Sequence, residues 1–219
     1  MPTAKLVMCD CDGTLVDSEP LGNRALAETF TNCGYSISEA EAIDRFKGLK
    51  LADSIAIVEK ESGKKMPPSF ESTFRARMAE IFEADLQPIQ GAKELVESFL
   101  IDFCVVSNGP PIKIKHGLSL TGLWPYFESK VYSAYEIGVW KPNPALFLNV
   151  AKQYKVNPVD CIVIEDSLPG VQASIAAGML VCVYNPEDQR FPKSKLVKDF
   201  RSLQDMTAHL VEIGVSKSG

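Results

Sequence analysis

Only two histidines, His116 and His209, occur in the 219 residues of this chain. So few imidazoles leave little material for a zinc site, and a histidine nucleophile or a Ser-His-Asp relay is poorly supported. Positive charge is not in excess either: 23 lysines and arginines stand against 28 aspartates and glutamates, for a formal net charge of −5. Neither a nucleic acid nor an anionic membrane surface is therefore an expected partner, and any phosphate ligand must be held by a few local cations or a metal. No apolar run approaches the roughly 18 residues of a membrane span, and the short Leu6-Val7-Met8 run lacks the length and cleavage site of a secretory leader. Six cysteines form no Cys-x-x-Cys pair, and four of them (Cys9, Cys104, Cys161 and Cys182) sit in apolar strand-like runs where a buried thiol is ordinary. Two phosphate chemistries are also missing. Gly63-Lys64-Lys65 lacks the earlier glycine and the hydroxyl of a P-loop, and no cysteine is followed six positions later by arginine. These absences suit a reducing cytoplasm and a small-molecule partner, and a monomer is the expected state.

What is present is an alternation. Apolar, β-branched runs at 5–10, 102–107, 131–135, 161–166 and 180–185 read as buried strands. Helical patterns at 91–100, 144–154 and 169–177 fall between most of them, the first helical turn of 144–154 suiting Pro144 and Gly178 closing 169–177. This order predicts an α/β core, a Rossmann-like parallel sheet with helices on both faces. Between the first two strands the character changes. Residues 18–84 show helical patterns at 21–32, 39–46, 51–62 and 69–84 without a strand signal, with Ser38 and Glu41 spaced as a capping box. A single connection of that length must carry its own structure. The expected organisation is a core of residues 1–17 and 85–219 with an all-helical domain, 18–84, inserted into it. The stretch Lys193–Lys198 reads as basic and solvated.

Polar residues cluster at the strand ends. Asp10-Cys11-Asp12-Gly13-Thr14 follows the first run, and Gly13 permits a sharp turn that leaves both carboxylates at the carboxyl edge of the sheet, where open α/β proteins bind ligands. Two carboxylates so close need a cation or a shared proton. Asp166, beside Glu165 and ahead of Ser167 and Gly170, ends the fourth run and offers a further oxygen ligand. Magnesium takes such oxygen donors, with water and substrate phosphate completing its shell. Ser107-Asn108-Gly109 ends the second run with groups that suit a phosphate. Lys141, before Pro142-Asn143-Pro144, supplies the cation that three carboxylates and a phosphate still need. With the rival nucleophile motifs missing, an aspartate nucleophile remains.

Together these motifs, Asp10–Thr14, Ser107-Asn108, Lys141 and Glu165-Asp166 followed by SLPGVQASIAAG, resemble the haloacid dehalogenase (HAD) superfamily over essentially the whole chain, in its subfamily with a helical cap after the first motif. The resemblance implies a phosphatase in which Asp10 attacks phosphorus, Asp12 protonates the leaving oxygen and then activates water, and Lys141 balances charge. It also implies magnesium held by Asp10, the main-chain carbonyl of Asp12 and Asp166, and a phosphoryl group held by Ser107, Asn108 and Lys141. Within the family Asp12 disfavours the dehalogenases. Mutases of the β-phosphoglucomutase type share Asp17 and Arg45-Phe46-Lys47-Gly48, but they carry histidine where this chain has Gly22. RFKGLKLADSI at 45–55, CVVSNGP at 104–110 and VWKPNPAL at 139–146 are similar to the bacterial 6-phosphogluconate phosphatases. That implies a sugar phosphate or sugar-acid phosphate as substrate, with Arg45, Lys47 and Gly48 as contacts to it. A mutase remains one alternative. A non-catalytic phosphate-responsive switch is a more distant one, disfavoured by the large insertion.

Overall fold

The computed structural model describes residues 4–46 and 49–217. The chain divides into two compact units, Met1–Val16 with Pro88–Gly219 and Asp17–Gln87.

The first unit is built on a parallel sheet of β1 (Leu6–Cys9), β2 (Asp102–Ser107), β3 (Val131–Ser133), β4 (Cys161–Glu165), β5 (Leu180–Tyr184) and β6 (Val197–Phe200), in the order β3-β2-β1-β4-β5-β6. The chain works outward from β1 to β3, then returns to β4 and works outward the other way. Connections at β1 and β4 thus leave in opposite directions, which opens a crevice at their carboxyl ends. Register brings the two together: Cys9 pairs with Ile164, and Asp10 extends the ladder by donating its N–H to the Ile164 carbonyl at 2.9 Å.

Successive side chains of a strand point to opposite faces. Leu6, Met8, Cys104, Val106, Val163 and Val181 share one face with Leu146, Phe147 and Val150 of the helix Ala145–Tyr154 and Val171 of the helix Leu168–Ala176. The intervening Val7, Cys9, Val105, Ile164 and Cys182 are buried as well. Both faces are therefore covered, which is why these strands read as unbroken apolar runs rather than alternating ones. β6 departs from the sequence reading, which left Lys193–Lys198 as solvated chain. It is an edge strand whose Lys198 and Asp199 are exposed, so it has no apolar run to betray it, yet it pairs with β5 from Val181↔Val197 to Tyr184↔Phe200. Residues 134–135, read as strand, instead begin the short helix Ala134–Ile137.

The second unit contains the helices Glu19–Asn32, Glu39–Phe46, Leu51–Ser62 and Phe70–Asp85. Local signals set their ends. Ser38 and Glu41 form the reciprocal capping box, with the Glu41 N–H donating to Ser38 Oγ and the Ser38 N–H to Glu41 Oε2. Gly63 closes the third helix at φ +66°, a conformation that costs glycine little. Phe30 is the centre of the unit's apolar core, its ring 4.8 Å from that of Phe70 and 5.7 Å from that of Phe46. Such pairs add about 0.5–1.5 kcal/mol each beyond the area they bury.

The two crossings between units are short antiparallel segments. In the first unit the Ile89 N–H donates to the Leu15 carbonyl and Val16 bridges Pro88; in the second the Asp17 N–H donates to the Gln87 carbonyl. No helix among the described residues is long and apolar enough to cross a membrane.

Candidate active site

The site lies in the first unit, at the carboxyl ends of β1, β2 and β4. After Asp10 the chain folds into a tight loop in which Leu15 and Val16 donate their N–H groups to the Cys11 carbonyl and Gly13 donates to Val16. Gly13 sits at φ +77°, and a Cβ there would lie 2.2 Å from Asp166 Oδ2. Its lack of a side chain is what lets the loop after β1 approach the residue after β4. Thr14 completes that contact by donating its hydroxyl to Asp166 Oδ1 at 2.9 Å.

Lys141 reaches the same point from the loop before the helix Ala145–Tyr154. Asn108 anchors its backbone twice: the Lys141 N–H donates to Asn108 Oδ1 at 2.9 Å, and Asn108 Nδ2 donates to the Lys141 carbonyl at 3.3 Å. The ammonium is buried, 2.6 Å from Asp10 Oδ1, 2.6 Å from Glu165 Oε1, and 5.2 Å above the centre of the Phe147 ring. Burial alone would lower its pKa, but the two carboxylates outweigh that and hold it above the ordinary lysine value. Burial pushes the Asp10 carboxyl up to about 7; Lys141 opposes the rise, while Glu165 and Asp12 add to it. A nucleophilic carboxylate here consequently depends on nearby positive charge.

Glu165 is fully buried, and its second oxygen accepts from Asp166 N, Ser167 N and Ser167 Oγ at 2.8–3.0 Å. Its role as the fixed counter-charge of Lys141 was not read from the sequence. The only signal was a carboxylate as the last residue of a strand, next to a helix start. Gly170 belongs to the same arrangement, since a Cβ there would fall 1.8 Å from Glu165 Oε1. The loop after β2 is braced too: Gly109 donates its N–H to Ser107 Oγ at 3.0 Å, and Ser133 at the end of β3 donates its hydroxyl to the Gly109 carbonyl at 2.7 Å. Asp12 pairs with Lys113, Nζ to Oδ1 2.8 Å, a lysine that no sequence pattern had singled out.

The structure thus brings together Asp10, Asp12, Ser107, Asn108, Lys141 and Asp166 on one edge of the sheet. Of the three substrate contacts expected in the inserted unit, Lys47 and Gly48 lie outside the described residues. Arg45 donates to Tyr35 Oη at 2.8 Å and to Glu61 Oε2 at 2.6 Å, within its own unit.

Carboxylate oxygens of Asp10, Glu165 and Asp166 lie within 4.8 Å of one another. An all-oxygen, anionic donor set suits a hard cation such as magnesium. Glu165 already accepts from Lys141 and from three donors on its other oxygen, and Asp10 and Asp166 beside it could hold an ion.

A family model for haloacid dehalogenase-like hydrolases matches residues 7–184, which take in every strand end that carries a site residue. The chain belongs to this family. It is 39% identical over 193 residues to the 6-phosphogluconate phosphatase of Escherichia coli K12, covering 88% of this chain and 87% of that one. It is 29% identical over 208 residues to hexitol phosphatase B of the same organism, covering 91% and 92%. Among solved structures it is similar to a conserved haloacid dehalogenase-like protein of unknown function from Agrobacterium tumefaciens, with TM-score 0.80, 29% identity and coverage of 96% and 99%. A HAD family hydrolase from Deinococcus radiodurans R1, solved with bound phosphate and sodium, shares the fold at TM-score 0.78 and 23% identity, with coverage of 100% and 99%. As a HAD-type hydrolase the chain is a phosphatase that acts through its aspartate cluster.

Proposed function

We propose that this HAD-type phosphatase hydrolyses a phosphorylated sugar acid, with 6-phosphogluconate the best candidate, through an aspartyl-phosphate on Asp10. The observation that carries the chemistry is the buried pairing of Asp10 with Lys141 at the crevice between β1 and β4. Support for the substrate comes from 39% identity to a 6-phosphogluconate phosphatase across nearly the whole of both chains.

In this reading Ser107, Asn108 and Lys141 hold the phosphoryl oxygens. An oxygen of Asp10 attacks phosphorus in line, the bond to the leaving alkoxide breaks, and Asp12 gives that oxygen its proton. Asp12 then takes a proton from water as the water attacks phosphorus, which releases inorganic phosphate and restores Asp10. Magnesium, when held by Asp10, Asp166 and the main-chain carbonyl of Asp12, supplies positive charge that neutralises the phosphoryl oxygens. Glu165 keeps Lys141 in place, and Arg45, Lys47 and Gly48 take the anionic tail of the substrate.

Two measurements test this. Asp10→Asn should abolish turnover while the far-ultraviolet spectrum stays native; near-normal activity in that variant would disprove the mechanism. A panel of phosphorylated sugars and sugar acids ranked by kcat/KM should place 6-phosphogluconate first. Hexose 1-phosphate should yield free phosphate, and accumulation of hexose 6-phosphate would mark a mutase instead.

A further inference from the structure

Each aspartate of the Asp10–Thr14 loop has its own lysine. Lys141 serves Asp10, while Lys113, in the first turn of the helix Pro111–Leu120, sets its ammonium 2.8 Å from Asp12 Oδ1. Both members of the second pair are largely shielded, with 23% and 18% of their side chains exposed. A shielded pair is screened less than a surface one, so this contact fixes geometry where an exposed ion pair would not. The other oxygen of Asp12 faces the loop after β2: a Cβ built on Gly109 would lie 3.5 Å from Asp12 Oδ2 and 3.4 Å from Ser107 Oγ. The carboxylate of Asp12 is therefore flanked by an ammonium on one side and by the backbone of the Ser107–Gly109 loop on the other.

This flanking matters because of what else is near. Asp10, Glu165 and Asp166 put three more carboxylates in the same region, and their charge would drive the Asp12 side chain outward. A counter-charge placed beside the phosphate loop opposes that. Lys113 is well placed for it, since its helix begins directly after Ser107-Asn108-Gly109, with Pro111 fixing the first turn.

The geometry points to Lys113 as a positioning residue that holds the Asp12 side chain by Oδ1, so that Oδ2, beside the Ser107–Gly109 loop, carries the proton that passes to the leaving oxygen. The inference rests on the aspartyl-phosphate reading, in which Asp12 is the proton carrier. It assigns Lys113 no contact with the phosphoryl group.

Leaving-group dependence separates these roles. Nitrophenolate departs without a proton, whereas an alkoxide needs one. In single-turnover experiments Lys113→Met should slow release of the alcohol from an alkyl phosphate by about 10–100-fold, the cost of displacing a catalytic group by about an ångström. The burst of nitrophenolate from p-nitrophenyl phosphate should stay within about threefold of wild type, and KM for both esters should change little. Lys113→Arg, which keeps the charge, should recover most of the loss. Equal slowing of both esters, or no slowing of either, overturns the inference while leaving the phosphatase reading intact. A wild-type protein that cleaves neither ester overturns both together.

Discussion

Lys141 Nζ lies 2.6 Å from Asp10 Oδ1 and the same distance from Glu165 Oε1, with 2% of the lysine side chain exposed. One buried cation thus serves two buried carboxylates. Removing it leaves both without a counter-charge, and breaking a buried pair in this way costs about 3–5 kcal/mol. Lys141→Met should lose about that much unfolding free energy in urea titrations run with EDTA. It should also lose nearly all turnover. A variant as stable as wild type would show that the pair contributes nothing to holding the fold.

Gly170 lies within a helix, where alanine is ordinarily better by about 1 kcal/mol. Here a Cβ would sit 1.8 Å from Glu165 Oε1. Gly170→Ala should therefore destabilise the protein by about 1–3 kcal/mol against its propensity, as overpacking does. Because Glu165 holds Lys141, kcat should fall more than KM rises. Chemical denaturation and steady-state kinetics on the same preparation check both.

Five of the six cysteines are buried, and Cys33 is the half-buried exception. Burial pushes the thiol of Cys161 up to about 11 and that of Cys182 to about 12, while Cys9, Cys11 and Cys104 are also raised. The thiolate is the reactive form, so at pH 8 a thiol with a pKa near 11 is ionised to only about one part in a thousand. Iodoacetamide at pH 8 should label Cys33 alone on the native protein and all six after denaturation, read by intact mass. Raising the pH to 9 should still leave the buried five unlabelled.

Arg45 is shared between Tyr35 and Glu61 in the second unit. The ion pair is partly exposed and contributes under about 1 kcal/mol, so Arg45→Ala should leave stability nearly unchanged. If Arg45 meets the carboxylate of a sugar acid, kcat/KM for 6-phosphogluconate should fall about tenfold or more, while that for a neutral sugar phosphate barely moves, matching the 1.5–3 kcal/mol of a charged hydrogen bond. Equal effects on both substrates would remove Arg45 from the recognition of the tail.

The sheet was legible because strands covered on both faces must be apolar throughout, as Met8 and Val163 are. β6 was not, since at the edge only its end residues Val197 and Phe200 are partly covered, and Lys198 and Asp199 between them face water. Asp10, Ser107 and Asp166 could be found from polar residues that end apolar runs, and Lys141 from the charge that they left unbalanced. Glu165 and Lys113 could not. Their roles depend on which side chains meet across the sheet edge, and a lysine in a first helical turn looks like any surface lysine until Asp12 is found beside it.

The paired crossings at Leu15–Ile89 and Asp17–Gln87 bring the entry and exit of the helical insertion side by side. To the catalytic core, the whole second unit is topologically a hairpin. The entropy of closing a loop grows only with the logarithm of its length, so the core tolerates a large, small or different insertion at this point with little change in its own stability. The insertion could therefore be exchanged for another at this junction while Asp10, Lys141 and Asp166 keep their places.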